Sequence, residues 1–205
     1  MALIHRATLQ PTKLELLTDW LPGRDWHTAP AGELTRVAAY RFDDPADVVG
    51  IETMLVGAGD GPVFQVPMTY REAPLDGAED RLIGTTEHSV LGKRWVYDAV
   101  GDPVYAAALA SAVLAGTGQA EEFMDVDGTL EPRALTMDIA STGSGTAPAV
   151  KKIVSVTDGD PTVIRTDTVE LVVVRRLDAG AAVGAVLTGT WSGQPASVPL
   201  AFARA

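Results

Sequence analysis

Cysteine is absent from this sequence of 205 residues, and histidine occurs three times, at His5, His27 and His88. Without cysteine there are no disulfide bonds and no cysteine-ligated zinc sites. The three histidines are far apart in the sequence and leave little material for a histidine-based metal site. We therefore expect no metal and no other cofactor.

Basic residues are also scarce: 16 Lys and Arg face 27 Asp and Glu, which gives a formal net charge of −11. Nucleic acids and anionic membrane surfaces bind basic faces, so we expect neither as a partner. No apolar run reaches the roughly 18 residues of a membrane span, and the first residues lack the basic and apolar segments of a signal peptide. We expect a cytoplasmic protein.

Two segments carry helical signals. Thr12 and Glu15 have the spacing of a capping box and precede leucines at helical spacing, which predicts a helix over 11–21. Asp102 is a good N-cap, and the alanine-rich stretch VYAAALASAVLA follows it until Gly116. The sequence thus predicts a second helix of small residues, suited to close packing on a sheet.

Most of the remaining chain has the pattern of strands joined by short turns, which is typical of an antiparallel sheet. The predicted fold class is α+β, a mostly antiparallel sheet with two helices. The run STGSGTAP at 141–148 is the one plausible internal joint. We predict a cap-like unit over 1–140 and a β-rich extension over 148–205, packed on it. The predicted strands are 34–42, 48–57, 62–71, 81–86, 93–100, 134–142, 150–157, 168–177, 182–192 and 196–204.

The segment Asp-Val-Asp-Gly-Thr at 125–129 resembles the first motif of haloacid-dehalogenase-type phosphatases. That resemblance implies Asp125 as nucleophile and Asp127 as acid/base, with magnesium held between carboxylates and phosphate. The remaining residues of such a site are Lys151 or Lys152 for the phosphate and Asp158 and Asp160 for the metal. The sequence before the motif is not a hydrophobic strand, and no crossover helix follows it, so we favour a turn at Asp-Gly.

Four other groups have a structural interpretation that we favour over a functional one. Asp43, Asp44 and Asp47 fit a solvated turn better than a calcium site, and Gly143-Ser144-Gly145 fits a linker better than a phosphate-binding loop. His88 with Ser89 lacks the third member of a catalytic triad, and Trp20 with Trp26 fits the edge of a core better than a sugar-binding surface.

Three segments taken together resemble a known family. They are DWLPGRDW at 19–26, GPVFQVPMTYREAPLDGAEDRLIGT at 61–85 and WVYDAVGDPVYAAAL at 95–109. Their order and spacing are similar to the N-terminal cap domain of actinobacterial maltokinases and related sugar kinases. The resemblance covers about residues 1–116, and it implies a cystatin-like unit in which a helix packs on a curved antiparallel sheet.

The resemblance continues weakly into the small lobe of those kinases. TVELVVVRRLDAG at 168–180 has the shape of the strand that carries the ATP-binding lysine, but that position holds Val172, ahead of Arg175 and Arg176. LTGTWSGQPASVPLAFA at 187–203 is similar to a later strand pair. No histidine follows His88, so a His-x-Asp catalytic loop is lacking, as is an Asp-Phe-Gly triplet, and the length leaves no room for the large lobe. We expect no kinase activity.

Three functions follow as hypotheses. The first is a non-catalytic cap-like protein that binds a partner, either a sugar kinase, another α-glucan-metabolism protein or itself, through exposed strand edges. The second is a module that binds a small sugar in a cavity of the sheet. The third is a magnesium-dependent phosphatase acting through Asp125 and Asp127.

Overall fold

The computed structural model describes residues 2–4, 7–28, 32–126, 128–178 and 183–204, with the side chains of residues 2 and 3 excepted. The helices among these residues are Lys13–Trp20 (α1) and Pro103–Ala115 (α2). The strands, in chain order, are Ala2–Ile4 (β1), Leu9–Gln10 (β2), Thr35–Phe42 (β3), Gly50–Gly57 (β4), Phe64–Arg71 (β5), Leu82–His88 (β6), Gly92–Asp98 (β7), Glu122–Val126 (β8), Thr129–Pro132 (β9), Met137–Ser141 (β10), Ile153–Thr157 (β11), Thr162–Thr166 (β12), Glu170–Val173 (β13), Val186–Trp191 (β14) and Gln194–Arg204 (β15).

The strands form two large antiparallel sheets and a small one. The cap sheet has the order β2-β6-β7-β5-β4-β3, and the C-terminal sheet has the order β10-β14-β15-β13-β12-β11. This arrangement confirms the predicted α+β class. The small sheet β1-β8-β9 departs from it in one respect, because β1 and β8 pair in parallel. The predicted strands do not include β1, β2, β8, β9 or β12.

Helix α1 begins as the sequence predicts. Thr12 accepts a hydrogen bond from the backbone N–H of Glu15, and the Glu15 carboxylate accepts one from the N–H of Thr12, which is a complete capping box. The helix ends at Trp20 and continues as a single 3-10 turn. Leu17 and Leu21 are buried against one face of the cap sheet, whose contributing side chains there are Ala39, Met54, Val56, Phe64, Val66, Met68 and Val96.

Helix α2 lies between the two large sheets. Asp102 caps it by accepting from the N–H of Val104, and Gly116 ends it in the left-handed region at φ 66°. Its small side chains are buried in one cluster with Tyr40 and Leu55 of the cap sheet and with Leu171 and other residues of the C-terminal sheet. Small residues suit this position because both faces of the helix must approach a sheet. Neither helix among the described residues is long and apolar enough to cross a bilayer.

The predicted joint at 141–148 packs against the end of α2. Ser141 donates a hydrogen bond to the carbonyl of Val113, and the N–H of Gly145 donates to the carbonyl of Leu114. A Cβ on Gly143 would lie 2.0 Å from the Val113 carbonyl oxygen, so only glycine fits this approach. The segment connects the helix end to the C-terminal sheet through close backbone contacts.

Direct hydrogen bonds also join the two large sheets. The Gln65 side chain of β5 donates to the carbonyls of Val174 and Leu200, and the Gln65 backbone N–H donates to the carbonyl of Arg175 at 2.7 Å. The cap sheet and the C-terminal sheet therefore share both a core and a backbone connection. Strand β10 lies in the predicted cap-like unit by residue number and pairs with β14 of the C-terminal sheet.

Candidate functional site

A polar groove of about 560 Å³ opens beside the N-terminal end of α1. Its floor is the face of the cap sheet that also carries α1, and its rim includes Val48 of the β3–β4 loop and Leu91 of the β6–β7 turn. Ile4 of β1 and Arg133, which follows β9, close another side. Small molecules bind in concave pockets of this size in which a small number of fixed polar groups orient the ligand. We refer to this site as the groove.

A buried carboxylate organises the floor of the groove. Glu52 is 2% exposed, and a single oxygen, Oε2, accepts a hydrogen bond from the Lys13 ammonium and one from the Tyr70 hydroxyl at 2.9 Å. The Arg41 guanidinium lies 3.1 Å from the same oxygen. Three donors from α1, β3 and β5 thus converge on one charge, as a buried carboxylate requires.

These contacts set the protonation states at the floor. Burial alone would raise the pKa of Glu52, but the charges of Arg41 and Lys13 outweigh it and lower the pKa to about 2. Burial raises the pKa of Tyr70 well above its usual range, and the negative charge of Glu52 adds to that shift. At neutral pH Glu52 is therefore ionised and Tyr70 is neutral.

The charge pairing continues toward the small sheet. Arg41 also lies 3.8 Å from Glu122 of β8, which is 7% exposed, and Glu122 pairs with Arg133 at 3.3 Å. Arg36, on the same face of β3 as Arg41, is exposed and has no carboxylate partner among the described residues. The floor of the groove consequently holds more basic than acidic side chains.

Acidic residues lie at the opposite end of the groove, on and beside the β3–β4 loop. Asp44 accepts from the N–H groups of Ala46, Val48 and Val49. Burial opposes ionisation, but these bonds hold the pKa of Asp44 below its usual value. Asp43 and Asp47 lie in the same turn, which confirms the turn predicted there. Among the described residues, no three His, Asp or Glu side chains form a group that could hold a metal ion.

The phosphatase-like motif forms a hairpin. Asp125 is exposed near the end of β8 and accepts from the N–H of Gly128, which confirms the predicted turn; Asp127 lies outside the described residues. The proposed companions belong to another sheet. Lys151 and Lys152 are exposed before β11, Asp158 pairs with Arg81 at 2.6 Å, and Asp160 accepts from the N–H of Arg175.

The remaining sequence candidates have structural roles. The His88 Nδ1 accepts from the N–H groups of Val90 and Leu91 in the β6–β7 turn, and the Ser89 hydroxyl oxygen accepts from the N–H of Thr8. His88 also lines the groove. Trp26 is buried and meets Trp20 edge to face at 6.0 Å, so this pair closes the core under α1.

Arg175 is the most deeply buried cation among the described residues. It is fully buried, pairs with Asp98 of β7 at 2.7 Å, donates from Nε to Thr162 at 2.8 Å and packs over the Trp26 ring at 4.7 Å. Its neighbour Arg176 is exposed and pairs with Asp178, also at 2.7 Å. The two adjacent arginines therefore differ in role: the first joins the sheets and the second faces solvent.

Residues 20–102 match the family model of the maltokinase N-terminal cap domain. The match confirms the resemblance predicted from the sequence. It includes strands β3 to β7 and ends at Asp102, the residue that caps α2. No curated protein matches this chain.

The groove extends beyond the segment that matches the maltokinase N-terminal cap domain. Glu52, Tyr70 and Arg41 lie inside the matched segment, whereas Lys13 and Arg133 lie outside it. The buried pair of Asp98 and Arg175 likewise joins a residue of the matched segment to one beyond it. The flanking segments of this chain thus complete both the site and its support.

Sequence reasoning did not single out Glu52, Arg41 or Lys13, although strand periodicity carries a signal for the first two. Glu52 shares a sheet face with Met54 and Val56, and Arg41 shares it with Ala39, so each charge lies on an apolar face. Two residues of opposite charge on the same buried face of adjacent strands indicate a buried ion pair. Lys13 carries no such signal, because its position over Glu52 depends on where α1 docks.

Proposed function

We propose that this chain is a non-catalytic cap-like module that acts by binding, and that its groove takes a carbohydrate or a similar hydroxyl-rich small molecule. The observation that carries the proposal is the set of fixed, oriented charges around Glu52 in a cavity large enough for a sugar. Charged groups held by partners exchange hydrogen bonds with ligand hydroxyls without having to reorganise.

The absence of catalysis in this proposal is supported by the strand that resembles the nucleotide-binding strand of sugar kinases. Val172, at the position of the lysine, is fully buried in β13, and Arg175 is engaged with Asp98. Phosphoryl transfer needs a cation that reaches the phosphates of ATP. Here Val172 instead packs in the core, and Arg175 forms a buried ion pair with Asp98.

We expect maltose, trehalose or glucosamine to bind in the groove at millimolar concentration, as measured by isothermal titration calorimetry. Val48→Trp places a large ring at the rim, because Val48 is 60% exposed and lines the groove, and should weaken binding at least fivefold. Val154→Trp is the matched control: Val154 is 59% exposed at the edge of the C-terminal sheet. Equal affinity in both variants, or no sugar binding, would contradict the proposal.

A protein partner is a second candidate function, and the match to a maltokinase cap domain favours a sugar kinase or another α-glucan-metabolism protein. Strand β11 is the outer strand of the C-terminal sheet and exposes Val154, so it offers an edge for pairing with a partner or with a second copy.

This candidate predicts a complex in size-exclusion chromatography with light scattering, either with a purified actinobacterial maltokinase or between copies of the chain. Val154→Lys should abolish it, because an outward lysine on an edge strand opposes pairing. Val90→Lys, at a similarly exposed valine in the β6–β7 turn, should leave it intact. A strictly monomeric protein that does not co-elute with the kinase would refute this candidate.

A further inference from the structure

We propose that the ligand of the groove is a phosphorylated sugar, with its phosphate group at the floor beside Arg36 and its hydroxyls toward the β3–β4 loop. This inference rests on the proposed function and narrows it, because it assigns one anionic group to the ligand. It depends on how charge is distributed along the groove.

The floor of the groove has a local excess of positive charge in a chain whose net charge is −11. Four cations meet two carboxylates there, Glu52 and Glu122, so two positive charges remain uncompensated. The cations are Lys13, Arg36, Arg41 and Arg133. Basic side chains held in a concave site are the ordinary means of binding phosphate.

Arg36 is the residue that a ligand phosphate would engage first. Its side chain lines the groove together with Lys13, on the face of β3 that also bears Arg41. Arg41 and Lys13 are already committed to Glu52, whereas Arg36 has no carboxylate partner among the residues described. A planar guanidinium without a partner matches two phosphate oxygens.

The negative charge of Glu52 does not repel such a ligand from the site. Its Oε2 oxygen is occupied by Lys13, Arg41 and Tyr70, and the residue is 2% exposed. The carboxylate thus holds Lys13 and Arg41 in fixed positions without facing the cavity as a free charge. Ordering these long side chains beforehand reduces the entropy that binding would otherwise cost.

The other end of the groove, at the β3–β4 loop, carries an excess of negative charge. Four carboxylates line it, with Arg94 as its one cation among the described lining residues: Asp43, Asp44, Asp47 and Glu72. Carboxylates accept hydrogen bonds from sugar hydroxyls and repel a second phosphate. The groove therefore matches a ligand with one anionic group and several hydroxyls better than it matches a nucleotide with several phosphates.

Calorimetric titration with glucose 6-phosphate, glucose, maltose and inorganic phosphate tests this inference. We expect glucose 6-phosphate to bind at least tenfold more tightly than glucose, maltose or inorganic phosphate. Arg36→Gln should weaken glucose 6-phosphate binding about tenfold and so bring its affinity close to that of glucose. Arg165→Gln is the matched control, since Arg165 is a solvent-exposed arginine of the C-terminal sheet and should have no effect.

The outcomes separate this inference from the proposed function. Glucose or maltose binding as tightly as glucose 6-phosphate would overturn the phosphate assignment and support a neutral-sugar groove. Inorganic phosphate binding as tightly as glucose 6-phosphate would overturn the role of the hydroxyls. Equal losses of glucose 6-phosphate affinity in Arg36→Gln and Arg165→Gln would place the phosphate site outside the groove. No measurable binding of any of the four compounds would overturn both proposals.

Discussion

Asp98→Ala should lower the free energy of unfolding by about 3–5 kcal/mol, because it leaves the guanidinium of Arg175 buried without its counter-charge. Arg175 is fully buried and Asp98 is 2% exposed, so water cannot replace the lost carboxylate. The loss is measured by urea denaturation at neutral pH, followed by far-UV circular dichroism.

The adjacent arginine supplies the control for that result. Arg176 pairs with Asp178 at the same distance of 2.7 Å, but both side chains are largely exposed. Asp178→Ala should therefore change the unfolding free energy by less than about 1 kcal/mol. Adding Arg175→Met to Asp98→Ala should recover part of the loss, since an apolar side chain removes the uncompensated charge. Similar losses for the two aspartate variants would show that burial of the Asp98 pair contributes nothing.

Glu52→Gln should cost about 3 kcal/mol at neutral pH and should flatten the acid side of the stability profile. The pKa of Glu52 is lowered to about 2 in the folded chain, from an ordinary value of 4.5. Its contribution to stability is fully present above about pH 5 and is lost as the pH falls toward 2, where the carboxylate takes up a proton. The variant lacks this carboxylate, so its unfolding free energy should fall less steeply over that interval.

Urea titrations at several pH values between 2 and 7 measure both effects. Glu87→Gln makes the same chemical change at an exposed position of β6 and should alter stability by less than about 0.5 kcal/mol. A profile for Glu52→Gln that runs parallel to that of the parent protein would mean that Glu52 does not titrate differently in the folded and unfolded states.

The helices and most strands could be predicted from the sequence because their signals are local. The capping box of Thr12 and Glu15, the Asp102 N-cap and the apolar residues of β3 to β5 are each signals within a few residues. Strand β12 was missed because Thr162–Thr166 is short and flanked by polar turns, and its partners lie on both sides in the C-terminal sheet.

The site was harder to predict than the fold, because it depends on contacts between distant segments. Lys13 meets Glu52 across 39 residues of sequence, and Arg41 meets Glu122 across a still longer interval. The Asp-Val-Asp-Gly motif resembles a phosphatase site only in the spacing of its residues, and β8 and β9 on either side of it pair as a hairpin in the small sheet. Arg175 was noted for its place in a kinase-like strand, and its burial against Asp98 followed only from the packing of the two sheets.

The position of α2 has a consequence for how this chain can be divided. One side of the helix completes the core of the cap sheet, and the other completes that of the C-terminal sheet, with Tyr105, Leu109 and Val113 fully buried. A fragment cut from the chain after α2 would expose an apolar helix face and the carboxylate of Asp98 together. Because both sheets bury apolar side chains against the same helix, we expect them to unfold together as one cooperative unit.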